Sequence, residues 1–188
     1  MMGKTYAFLF TCLFWMSASA QADSPTCRSP YAVVVQGALP SVKAARNGFE
    51  NTIDELMKDF RDRGYTVLFF QEPTFDTLAE QLQDPCVKVF GFVGEGIEED
   101  SKTYNLNDAN GADLIFLSES EVIDAAMMKA VLKGRPPLEL VIMHACYQGA
   151  KYNRVRWRQA FRILDEKFLS WHGLARFNTT YWWQFFWK

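Results

Sequence analysis

Leu138-Glu-Leu-Val-Ile-Met-His-Ala-Cys-Tyr-Gln-Gly149 is the stretch on which the fold of this chain turns. Residues 138–145 read as a buried apolar strand, running straight into Cys146 and then a glycine. Such a run suits a strand covered on both faces of a parallel sheet. It sets a thiol at the strand's carboxyl end, where ligands and chemistry collect in open α/β sheets.

The same pattern repeats upstream. Val87–Val93 reads as another core strand, breaking at Gly94-Glu95-Gly96, and Tyr31–Val35 and Tyr65–Phe70 read as two more. Between the last two, Ser41–Arg63 carries Val42, Ala45, Phe49, Ile53, Leu56, Met57 and Phe60 at steps of three and four, the stripe of a helix. Gly64 is placed to end that helix. Thr74 caps a short helix that runs to Leu82. Residues 98–111 are polar and read as a loop, Asp113–Leu117 as a short strand, and Val122–Lys133 as a helix closed by Gly134 and Pro136-Pro137.

Downstream, Tyr152–Trp171 reads as one helix, with Trp157, Ala160, Phe161, Leu164, Phe168 and Trp171 on one side. Arg154, Arg158 and Arg162 share another face, which reads either as an anion site or as a solvated face with Arg162 and Glu166 at supporting spacing. Tyr181–Trp187 reads as a final strand or packed tail, or alternatively as an aromatic patch for a partner or membrane. Strands alternating with helices predict an α/β three-layer sandwich with a mostly parallel sheet and helices on both faces. Periodicity alone does not choose among doubly wound folds.

Lys4, the apolar run Tyr6–Met16 and the small residues Ala18-Ser-Ala20 predict an export signal over residues 1–20, cut after Ala20 or after Ala22. The run is too short for a membrane span, so none is expected after cleavage. Residues 21–188 suffice for a single domain with an aromatic-rich tail. A net charge of −2 gives no bulk attraction for nucleic acid. Export predicts a periplasmic or extracellular location, where paired thiols bridge. Cys27, Cys86 and Cys146 would then remain. Cys27 and Cys86 each lie just before a predicted strand. If those strands are parallel neighbours, both residues sit at one edge of the sheet, which predicts a Cys27–Cys86 disulfide and leaves Cys146 as the odd thiol, reactive or simply buried.

From Tyr31 to Gly149, about two-thirds of residues 21–188, the order of elements resembles the caspase-like fold of caspases, metacaspases, legumains and CHAT-domain proteases. Ala145-Cys-Tyr-Gln-Gly149 resembles the motif that carries the family's nucleophile, and Ala45-Arg-Asn47 lies near its opening Gly-Ala-x-Asp-like stretch. The resemblance implies peptide-bond hydrolysis by Cys146. It departs at one place: the family's third strand ends in Gly-His-Gly with the catalytic histidine, and here Gly94-Glu95-Gly96 stands there. A cysteine peptidase needs a group that takes the thiol proton and later protonates the leaving amine. A carboxylate beside the thiol disfavours thiolate by like-charge repulsion.

Two readings follow. In one, a rearranged site uses Cys146 as nucleophile, His144 as proton shuttle, Glu95 to orient it, and amides around Gly94 and Gly96 as oxyanion donors. Residues 144 and 146 share a strand face roughly 7 Å apart, beyond a direct hydrogen bond without a bend or a water. In the other, the scaffold is a pseudoenzyme that binds a peptide or protein. A third reading discards the resemblance for a small-ligand domain, although Gln36-Gly-Ala-Leu-Pro40 is a poor phosphate cradle. No zinc spacing and no cofactor motif stand out. The acidic group Glu95, Glu98, Glu99 and Asp100 could hold calcium but reads first as an exposed loop.

Overall fold

The computed structural model describes residues 27–39, 43–96, 113–145, 148 and 151–170. Four parallel strands make the core of the sheet: β1 (Tyr31–Gln36), β2 (Thr66–Gln71), β3 (Val87–Val93) and, counted after a small hairpin, β6 (Leu140–His144). The hairpin pairs β4 (Ile115–Phe116) antiparallel with β5 (Val122–Ile123). The fifth strand of the main sheet is β7 (Phe168–Ser170), and the order across it is β2-β1-β3-β6-β7. The helices are α1 (Lys43–Asp62), α2 (Phe75–Gln83), α3 (Ala125–Val131) and α4 (Lys151–Phe161).

Strand order and handedness together place the helices. The chain steps from β1 outward to β2, then reverses and crosses to β3, and continues the same way to β6 and β7. Right-handed crossovers put the helix of the first step on one face and those of the later steps on the other. The two cores show this division. Phe49, Ile53, Leu56 and Phe60 of α1 pack on Ala32, Val34, Val89, Val93, Leu140 and Ile142. On the opposite face Leu78 and Leu82 of α2, Met128 of α3, and Trp157 and Phe161 of α4 pack on Val33, Val35, Phe90, Phe92, Val141 and Met143. The sheet is therefore sandwiched, and β1, β3 and β6 are apolar on both faces for that reason. The Phe90 and Trp157 rings lie 5.3 and 5.8 Å from that of Phe161.

Local signals set several boundaries. Gly64 and Gly134 adopt φ of +87° and +88°, where a side chain would be strained. Thr74 caps α2 by accepting from the Thr77 amide, and Asp124 caps α3 by accepting from the Met127 amide at 2.7 Å.

The expected Cys27–Cys86 disulfide is present. β1 and β3 are hydrogen-bonded parallel neighbours, with Tyr31 aligned to Val87, so the residues just before them meet at one edge. Arg135 is buried nearby, donating to the Leu82 carbonyl at 2.7 Å and to the Val87 carbonyl. Burial lowers its pKa.

Two segments differ from the sequence reading. The helix expected over 122–133 starts later: Val122 and Ile123 pair with Phe116 and Ile115, and the helix begins after the Asp124 cap. The helix expected over 152–171 is three elements as far as residue 170. α4 stops at Phe161, Arg162 turns the chain with φ of +54°, and a short 3-10 turn (Asp165–Lys167) leads into β7, parallel to β6. Leu164, expected on the buried stripe, is 64 % exposed. The arginine row makes its contacts within the chain, at a part-exposed surface. Arg154 and Arg158 both pair with Asp165 at 2.8 Å, and Arg162 donates to the Arg135 carbonyl. Glu166 lies beyond the helix, so the expected i,i+4 support from Arg162 does not form. The export signal expected over residues 1–20 and the tail or patch expected over Tyr181–Trp187 lie outside the described residues.

Candidate functional site

The carboxyl ends of β1, β3 and β6 lie side by side, and the site is built from their tips. Val93 is aligned with His144, and the Gly94 amide donates to the His144 carbonyl at 3.2 Å. The segments expected to bring positions 95 and 146 together are thus adjacent strands, with nothing between them. Ala145, fully buried, is the last described residue of the run, and Cys146 lies outside the described residues.

His144 is 1 % exposed and faces α1, its ring 5.2 Å from Phe49 in an edge-on contact. Burial lowers its pKa to about 4. At neutral pH the imidazole is therefore uncharged, and forming imidazolium there is disfavoured because a buried cation loses its hydration. A ring in this state can accept a proton only at a cost. Glu95, one residue beyond the Gly94–His144 bond, is partly buried.

Backbone groups around Glu95 are engaged within the fold. The Glu95 amide donates to the Ala38 carbonyl at 2.8 Å, and the Phe116 amide donates to the Glu95 carbonyl at 3.1 Å. Ala38 in turn donates to the Phe116 carbonyl at 3.0 Å, and Gly96 is bridged to Ile115. Strand β4 therefore sews the tips of β1 and β3 together. The amides of Gly94 and Glu95 both serve the fold.

The same stitching closes the crevice between β1 and β3, where the strand order reverses and doubly wound domains bind ligands. A Cβ added at Gly37 would lie 2.2 Å from the Phe116 carbonyl oxygen and 2.6 Å from the Phe92 ring. One at Gly94 would lie 3.0 Å from Gly37 Cα. The chain's own backbone fills that space, which weighs against the small-ligand reading.

Sequence reasoning missed a polar group behind the tips. Gln148, fully buried, donates to the Leu114 carbonyl at 3.1 Å and accepts from the Trp157 indole at 2.7 Å. Asp113, also buried, accepts from the Ala125 amide at 3.2 Å and from Arg156 at 2.8 Å. These bonds tie the hairpin to α3 and α4. Nothing local in the sequence marks Gln148 as buried; its partners lie 34 and 9 residues away. Among the described residues no group of three His, Cys, Asp or Glu side chains is arranged to hold a metal; residues 98–100 of the acidic stretch lie outside them. No helix among the described residues is long and apolar enough to cross a membrane.

The strand order is also that of flavodoxin-like doubly wound sheets, so topology carries the α/β sandwich and not a family. No protein-family model matches this chain, and no curated protein is significantly similar to it.

Proposed function

We propose that this chain is an exported caspase-like domain whose standard His/Cys dyad is broken and which binds a peptide or protein rather than cleaving it. The observation that carries this reading is the burial of His144 beneath Phe49. Among the described residues it is the one histidine, and a proton shuttle must gain and lose charge within each turnover. A ring whose pKa burial holds at about 4 is poorly suited to that task. The engaged Gly94 and Glu95 amides support the same reading, since they offer no oxyanion donors. The Cys27–Cys86 disulfide supports export, because such bonds persist in oxidising compartments.

A second reading, a non-standard cysteine peptidase using Cys146, His144 and Glu95, is favoured by one observation: residues 94 and 144 are hydrogen-bonded neighbours. Labelling with an electrophilic thiol reagent across pH separates the two. In a broken site the Cys146 labelling rate rises with an apparent pKa near the ordinary value of about 8.5 or above, and His144→Ala leaves it unchanged. A depressed apparent pKa that reverts in His144→Ala overturns the proposal. So does any cleavage in a peptide-library digest that Cys146→Ala abolishes.

A further inference from the structure

Strand β2 forms one edge of the sheet, and no described residue pairs with its outer side. Edge strands in natural proteins are usually guarded by a charge, a proline or a bulge. Thr66-Val-Leu-Phe-Phe-Gln71 has no charge and no proline, and its pairing with β1 runs without a shift. Phe69, in its middle, is 41 % exposed. We infer that β2 pairs antiparallel with β2 of a second copy of this chain, joining two sheets into one across a two-fold axis at Phe69.

Backbone direction selects the register. The Thr66 amide donates to the Pro30 carbonyl and the Glu72 amide to the Gln36 carbonyl, so alternate residues 66, 68, 70 and 72 address β1. Val67, Phe69 and Gln71 therefore turn both amide and carbonyl outward. Antiparallel partners that exchange both bonds must be outward-facing residues on each strand. With Phe69 opposite its own copy, Val67 falls opposite Gln71 of the second copy, and Gln71 opposite its Val67. Every outward group of the strand is then paired, and the Phe69 rings meet at the axis. A one-residue slip would oppose residues from different faces of the sheet.

Charge selects a second copy over a foreign strand. At the amino end of β2, Asp59 and Asp62 are already paired with Arg63 and Lys58, leaving exposed Arg61 with no ion pair among the described residues. At the carboxyl end stand exposed Glu72 and Asp76. Antiparallel self-pairing brings the basic end of one copy to the acidic end of the other, twice.

Sedimentation velocity of the disulfide-bonded chain across the micromolar range tests this. The wild type is expected to show a concentration-dependent dimer. Phe69→Lys is expected to raise its dissociation constant by about tenfold or more, because a lysine guards the edge. Leu164→Lys, at an exposed position beyond α4, leaves the dimer intact. Amide exchange reads the register: Val67, Phe69 and Gln71 exchange slowly in the wild type and fast in Phe69→Lys, while Leu68 and Phe70 stay protected in both. A wild type monomeric throughout the range, or a dimer indifferent to Phe69→Lys, overturns the inference. Slow exchange at Val67, Phe69 and Gln71 in a monomer also overturns it, and assigns the edge to another stretch of the same chain. Phe69-dependent capture of an added extended peptide by a monomer overturns it in favour of a foreign strand.

Discussion

His144 shows how one buried side chain couples the site to stability. Unfolded, its imidazole titrates near about 6.5; folded, burial holds the pKa to about 4. The unfolded chain thus binds the proton first as pH falls. The resulting stabilisation is complete above about pH 6.5 and is lost as the pH drops towards 4, amounting to about 3 kcal/mol over that window. Urea denaturation at pH 7 and pH 4 of the wild type and of His144→Leu measures it. The wild type is expected to lose about 3 kcal/mol more than the variant between those pH values. Equal losses would show that the ring is hydrated in the folded protein. The type of this residue and its place on a strand were readable from the sequence. Its concealment was not, because Phe49 reaches it from a helix 95 positions earlier in the chain.

Among the elements, β3 was legible to the residue, and α1 to within two residues at each end, because apolar period and glycine stops agree there. The hairpin and the end of α4 were not. Val122 and Ile123 look helical only until β4 lies beside them, and Phe168–Ser170 is a strand because β6 offers an edge. Asp113 fixes the hairpin to the next layer, so its removal should act on the junction as a whole. Asp113→Ala leaves the Ala125 amide and Arg156 without this acceptor, and is expected to cost about 2–4 kcal/mol in chemical denaturation. Asp113→Asn keeps an acceptor and is expected to cost less, about 1 kcal/mol. Equal costs for the two variants would argue that the ion pair with Arg156, and not the amide bond, holds the hairpin.

For the molecule as a whole, the disulfide ties the start of β1 to the start of β3 at a separation of 59 residues. By chain entropy a loop of that size stabilises the fold by about 4 kcal/mol, chiefly by restricting the unfolded chain. Reduction, or Cys27→Ser with Cys86→Ser, is expected to lower unfolding free energy by about that amount, read from urea curves with and without reductant. An unchanged midpoint would mean that the reduced unfolded chain keeps those two segments close.

The sequence by itself determined the alternation of strand and helix, the identity of the core strands and the two cysteines that bridge, since each rests on local period or residue type. Tertiary structure alone decided that His144 is buried, that Gly94 and Glu95 spend their amides on neighbouring segments, and that the β1–β3 crevice is filled by Phe116. Burial and hydrogen-bond partnership are properties of segments brought together from distant parts of the chain, and no local pattern encodes which segment arrives.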